Sequence, residues 1–264
     1  MRLGVIGGSS LVTFDPKDEF GAIGLEIVDK SEVEVTTSYG TVKLRKYELK
    51  GANAAHTIFF MNRHCHPTGG ITPPHKINHH ANMRALYDQK VDAVVSTTSV
   101  GTLHANFPPG RVGVTRQYID FSGVATTYHE VDAKFTSVTQ PFCPKINKGL
   151  LETLRRVQNL SPEVKLEFTY FLTVGPQYET EAEVSAADRL GADVVGMTSP
   201  REAKLCAELG VPYASLTIAS NWAAGRYPGD PNAKLDHAEV AETSKTTTGT
   251  IIACLIDLLK AAQG

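Results

Sequence analysis
The chain is 264 residues long, 42% hydrophobic and 20% charged, with a formal net charge of −2. This length suits one large α/β domain or two small ones, and the composition is that of a well-cored globular protein, not a disordered one. The slight negative balance lacks the basic footprint of a nucleic-acid binder, and no apolar run reaches the roughly 18–20 residues that span a bilayer. The start, MRLGVIGGSSL, has no signal-peptide core and enters a strand-and-loop pattern at once. Cys65, Cys143, Cys206 and Cys254 are scattered without a CxxC pair, which argues against a disulfide framework or a cysteine-rich zinc site and for a reduced cytoplasm.

In chain order, Arg2–Ile6 reads as a strand closed by Gly7-Gly8-Ser9-Ser10. Residues 32–37 and 41–49 read as a hairpin turning at Tyr39-Gly40, and 56–61 (HTIFFM) as a buried strand ending at Arg63-His64. Residues 75–90 have helical spacing, with Ile77, Ala81 and Leu86 on one face. A strand over 93–98 ends toward a Gly101 turn. Residues 144–157 form an amphipathic helix through Ile146, Leu150, Leu151 and Leu154. A strand over 168–174 runs into Gly175-Pro176, a helix over 181–190 closes at Gly191, and a strand follows over 193–197. A helix over 202–209 stops at Gly210, a strand covers 213–219, and a long helix over 234–262, broken near Thr246–Gly249, closes the chain. Strand–helix alternation without repeats or linkers predicts a single-domain α/β sandwich over residues 1–264, its mixed central β-sheet flanked by helices.

Several strand ends carry groups suited to an anion. Gly7-Gly8-Ser9-Ser10 brings amides and hydroxyls, although it lacks the Lys of a P-loop and the GxGxxG of a dinucleotide site and, taken alone, reads first as a plain strand-end turn. Arg63 is a fork donor matched to phosphate and sits beside His64; the alternative is a surface Arg next to a partly buried His. Thr97-Thr98-Ser99 and Thr198-Ser199 also stand at strand ends, where each alone reads as a helix N-cap. Their recurrence, with one Arg among them, predicts a cup for a phosphate-sized anion if they converge. Glu179 and Asn221 would supply an acceptor and a donor for a heterocyclic base; a helix cap and a loop residue are the alternatives. Six of the nine histidines lie between His56 and His80, yet HExxH and acidic partners are missing from that stretch, so no metal is expected.

These pieces occur together and in order in one family. The stretches VIGGSSL (5–11), RHCHP (63–67), KINHHANMRAL (76–86), VVSTTSVGTL (94–103), PFCPK (141–145), GPQYETEAE (175–183), the run from Leu190 to Asn221 and DHAEV (236–240) resemble the trimeric purine nucleoside phosphorylases and methylthioadenosine phosphorylases. The resemblance covers nearly the whole chain. It implies a homotrimer or a dimer of trimers, with active sites near subunit interfaces, and neither metal nor organic cofactor, inorganic phosphate being a co-substrate. It places phosphate on Ser9, Arg63, His64, Thr98, Ser99 and Thr198, ribose near Met197 and Tyr178, and the base on Glu179 and Asn221, with Asn221 and His64 as catalytic candidates. His237 falls where 6-oxopurine phosphorylases place a His facing the 5′-hydroxyl.

Family members that take 6-aminopurines carry Asp at the position of Asn221 and again two residues on, where this chain has Ala223. An amide there, with Glu179 facing N1–H, implies 6-oxopurine nucleosides such as inosine and guanosine. Methylthioinosine and methylthioadenosine are the alternative substrates, because RHCHP resembles the methylthio branch. A non-catalytic nucleoside-binding protein is a third reading, disfavoured by the phosphate cup. Segments 67–72 and 222–235 depart from the family pattern and are expected to border the nucleoside.

Overall fold
In a computed structural model of the chain, which describes all residues except 10, 12–13, 15–19, 52–54, 66–69, 236–242, 244–245 and 263–264, the β-rich runs assemble into one mixed sheet. Its strands are β1 (Arg2–Gly7), β2 (Glu26–Thr37), β3 (Gly40–Lys50), β4 (Ala55–Asn62), β5 (Ala93–Thr102), β6 (Val112–Asp120), β7 (Glu167–Leu172), β8 (Val194–Gly196) and β9 (Tyr213–Trp222). The helices are α1 (His79–Asp88), α2 (Pro144–Val157), α3 (Glu181–Arg189), α4 (Ser199–Leu209) and α5 (Thr248–Ala261). The strand order is β2-β3-β4-β1-β5-β8-β7-β6-β9, and β9 also pairs with β5, so the last five strands of that order close on themselves.

Alternation along the central strands serves two cores. In β1, Leu3 and Val5 face a cluster built with Leu150 and Leu154 of α2 and Ile251 and Leu255 of α5. Ile6 faces the opposite side, where Met83 and Leu86 of α1 meet Ala203 and Leu205 of α4. Helices thus cover both faces of a mixed sheet, and this is the α/β sandwich the alternation predicts. Each fully buried Leu or Ile contributes roughly 1.5–3 kcal/mol by leaving water.

Several boundaries differ from the sequence reading. α4 begins at Ser199, three residues before Glu202, because Pro200 falls in the first turn, where a missing N–H costs nothing. α1 starts only at His79: Asn78 caps it by accepting from the Ala81 N–H at 3.0 Å, and a short 3-10 turn (Pro74–Lys76) takes the preceding residues. β5 runs on through Gly101 to Thr102, paired to β9 along its whole second half. β6 has no counterpart in the sequence reading, since its apolar start, Val112 and Val114, gives way to the polar Arg116-Gln117. The closing helix is interrupted by a turn at Thr246–Thr247, where the break is expected, and its last part runs from Thr248 to Ala261; Thr243 is helical, whereas Lys234 and Leu235 are not.

Candidate active site
The sheet opens a cleft because its strands end at different heights. β1 and β4 stop together, with Gly7 opposite Asn62, whereas the last pairing of β1 with β5 is Ile6 to Ser96. β5 continues past that level, so Thr98 and Ser99 lie in mid-strand beside the ends of β1 and β4 and not at a strand end as their sequence suggests. The gap is a cavity of about 380 Å³, within the range of small-molecule sites. Ser9, Arg63, His64, Thr98, Ser99 and Thr198 line one part of it. Tyr178, Glu179, Met197 and Asn221 line another. Every site candidate except His237 therefore borders one cavity; His237 is outside the described residues.

Arg63 is neither a surface residue nor a free fork. Its side chain is 1% exposed, and its Nε and Nη2 donate to the two oxygens of Glu202 at 2.6 and 3.0 Å. Nη1 donates to the Thr97 carbonyl at 2.6 Å. A guanidinium has five N–H donors, and these bonds use three. Gly8 makes the arrangement sterically possible: a Cβ there would stand 2.6 Å from Nη1. Glu202 is wholly buried and also accepts from the Tyr213 hydroxyl at 2.7 Å. Burial pushes its pKa up, but the Arg63 charge and hydrogen bonds outweigh that, and the carboxyl is held below its ordinary value. Burial likewise opposes the Arg63 charge, and Glu202 more than offsets it. Beside this pair lies His79, 4% exposed, with Nδ1 3.8 Å from Glu202 and both ring nitrogens without a hydrogen bond. Desolvation drives its pKa down to about 3, so it is neutral near pH 7.

The hydroxyls gather opposite. Thr198 occupies the N-cap position of α4 yet makes no side-chain cap bond; its Oγ1 lies 3.2 Å from that of Thr98. The Tyr170 hydroxyl holds the turn by accepting from the Thr198 N–H at 3.2 Å. The capping alternative thus fails for Thr198, and the hydroxyl is left at the cavity wall. His64 is oriented by the chain that returns over it: Nδ1 is 2.9 Å from the Thr72 carbonyl, and the Thr72 N–H donates to the His64 carbonyl at 2.8 Å. Within segment 67–72, Ile71 reaches the cavity rim.

At the other part, Glu179 does no capping, because the adjacent Thr180 caps α3 through a reciprocal box with Glu183. Glu179 instead accepts from Thr173 Oγ1 at 2.6 Å, and burial raises its pKa. Gly175, at φ +70°, brings the turn against Met197, whose sulfur would lie 2.5 Å from a Cβ there. The Asn221 amide is oriented on both sides. Its Nδ2 donates to the Trp222 carbonyl at 2.8 Å, and its Oδ1 accepts from the Ser220 hydroxyl at 2.9 Å. One N–H and one lone pair remain, so the full NH2 is not available to two acceptors at once. A register shift in β9 opposite Val100–Gly101 sets Ser220 out of step with β5. Segment 222–235 lines a neighbouring cleft of about 670 Å³ that shares Ser220 and Asn221 with the cavity. Glu202, Tyr170, Thr173 and Ser220 had no signal in the sequence; Glu202 and Tyr170 matter through partners far along the chain, Thr173 through the turn that brings Glu179 back onto it, and Ser220 through a bulge.

The phosphorylase superfamily profile matches residues 11–260. A probable 6-oxopurine nucleoside phosphorylase of Thermococcus kodakarensis is 37% identical over 250 residues, 91% of this chain and 85% of that protein. A probable S-methyl-5′-thioinosine phosphorylase of Methanopyrus kandleri is 35% identical over 193 residues, 72% of each chain. Among solved structures, methylthioadenosine phosphorylase from Schistosoma mansoni in complex with adenine superposes with a TM-score of 0.79 at 22% identity, covering 99% of this chain and 92% of that one.

Proposed function
This chain belongs to the phosphorylase superfamily, and we propose that it is a pentosyltransferase that cleaves 6-oxopurine nucleosides of the inosine and guanosine type with inorganic phosphate. The products are the free base and ribose 1-phosphate. The observation that carries the reading is the convergence of Arg63 and four hydroxyl residues with Glu179 and Asn221 around one cavity. A nucleoside binder has no need of the anion cup. The relative from Thermococcus, matched over most of both chains, supports the 6-oxopurine assignment.

The chemistry follows from the bond broken. Phosphate attacks C1′ as the purine departs, positive charge builds on the ribosyl group and negative charge on the ring. The chain's task is to hold phosphate beneath C1′ and stabilise the departing base. Arg63 offers its two uncommitted N–H groups to phosphate, and Ser9, Thr98, Ser99, Thr198 and His64 complete the cup. Asn221 gives its remaining N–H to N7 as that atom becomes basic, and Glu179 accepts from N1–H. Tyr178 and Met197 flank the ribose. No covalent enzyme nucleophile is required, so Ser9 acts only as a donor.

A second reading keeps the reaction and changes the 5′ group to methylthio; the Methanopyrus relative favours it. Residues 1–264 act as one catalytic domain, assembled as a homotrimer or a dimer of trimers in the cytoplasm, without metal or organic cofactor. No helix among the described residues is long and apolar enough to cross a membrane. Phosphate-dependent release of base from inosine, guanosine, methylthioinosine and methylthioadenosine, measured side by side, tests the whole reading. Base release without phosphate, or none from any of the four, would refute it.

A further inference from the structure
We propose that Glu202 is a built-in counter-charge that weakens the cavity's hold on phosphate, so that removing its charge while keeping its shape tightens phosphate binding. The inference rests on reading Arg63 as a phosphate ligand. Arg63 borders the cavity, and Glu202, with no exposure of its own, takes the Nε–Nη2 edge. An arriving phosphate therefore meets a guanidinium already neutralised by a carboxylate. The other charged or titratable groups that act on Glu202 do not change this balance: Tyr213 is a hydrogen-bonded neutral phenol, Cys206 a buried thiol and His79 a neutral ring. The remaining cup is built of hydroxyls and His64, so the anion is held by hydrogen bonds more than by net charge. Such tempering suits a catalyst whose sugar phosphate product is also an anion, because binding substrate and transition state equally adds nothing to turnover.

Glutamine can stand in this place. Its oxygen keeps the Arg63 Nε bond, and its amide donates to the Tyr213 oxygen, whose proton turns to Ser96 at 2.6 Å or Ser199 at 3.2 Å. Arg63 stays held through Nε and Nη1, and the Nη2 N–H that faced Oε2 loses its acceptor. Removing one negative charge behind the guanidinium strengthens its attraction for phosphate by roughly ten-fold at the effective dielectric of such sites.

The test is calorimetric titration of inorganic phosphate into the full chain without nucleoside. Glu202→Gln lowers the phosphate Kd about ten-fold, and in steady state it lowers the phosphate KM while leaving the nucleoside KM near its wild-type value. Weaker or unchanged phosphate binding overturns the proposal and makes Glu202 a residue that merely orients Arg63; a wild type that binds no phosphate overturns it as well. If Glu202→Gln does not fold, Glu202→Met takes its place, removing the charge while keeping the length of the side chain, with phosphate present during refolding to stabilise the bound state by mass action. A phosphate Kd below that of the wild type supports the counter-charge, and one equal or higher overturns it. Should the wild type cleave no nucleoside yet show this phosphate behaviour, the functional reading fails and the counter-charge stands. Nucleoside cleavage without tightening fails the counter-charge alone.

Discussion

Acid should unfold this protein through His79. The ring is almost fully buried, has no hydrogen-bond partner on either nitrogen and titrates near 3 because burial disfavours its charged form. Above the ordinary histidine value of 6.5 the imidazole is neutral folded or unfolded, and its full contribution to stability is present. As pH falls below that value the unfolded chain takes up a proton that the folded chain refuses, and stability is lost progressively toward pH 3. At pH 5 the gap is roughly 1.5 units, about 2 kcal/mol at 1.36 kcal/mol per unit. His79→Leu removes this proton linkage and two orphaned nitrogens, each of which costs about 1–3 kcal/mol when buried unpaired. Urea unfolding followed by circular dichroism at pH 7 and pH 5, at fixed salt and protein concentration, reads the difference. The wild type should lose about 2 kcal/mol more than His79→Leu between the two pH values, and the variant should be at least as stable at pH 7. Equal losses in both proteins, or a His79 ring resonance that titrates near 6.5 in the folded state, would sink the reasoning.

Other expectations bear on the site. Gly8→Ala places a Cβ 2.6 Å from Arg63 Nη1 and 3.0 Å from the Thr97 carbonyl; displacing the guanidinium should raise the phosphate KM about ten-fold, the loss of one charge-assisted hydrogen bond, and an unchanged phosphate KM would remove Arg63 from the cup. Because burial raises the pKa of Glu179 and the base needs its ionised form, cleavage of inosine should fall on acidification earlier than an ordinary carboxylate predicts. Glu179→Gln should abolish that limb of the pH profile; an identical profile in the variant would free Glu179 of the role. Asn221→Asp should slow inosine cleavage by about one to two decades, the cost of an unpaired buried group, and bring partial cleavage of adenosine-type nucleosides. A wild type that cleaves both classes equally well would overturn the 6-oxopurine assignment. Adding Ala223→Asp should enlarge that gain, Ala223 lining the neighbouring cleft beside Asn221; a double variant no better on adenosine-type nucleosides than Asn221→Asp alone would deny the second acid a role.

What could be read directly from residue order was whatever depends on near neighbours. The helix at 144–157 needs only a proline in its first turn and apolar residues at Ile146, Leu150 and Leu154. The strands ending at Gly7 and Asn62 carry Ser9 and Arg63 just beyond their last paired residues, where α/β sheets present ligands. For that reason candidates for an anion are legible at Ser9 and Arg63 from short stretches, while the fuller set of roles rests on the family resemblance. Whether they meet depends on strand register, and register follows from partners that a local pattern does not encode. The local pattern ends β5 near Thr98 because Gly101 resembles a stop; its continuation is stabilised by pairing with β9, more than a hundred residues later. The same holds for the charge of the site. Arg63 was legible as a phosphate-type donor, but its partner Glu202 stands 139 residues away and read as an ordinary helix residue. A lone guanidinium and a neutralised one have the same sequence around them, and only the packing of α4 against the end of β4 decides between the two.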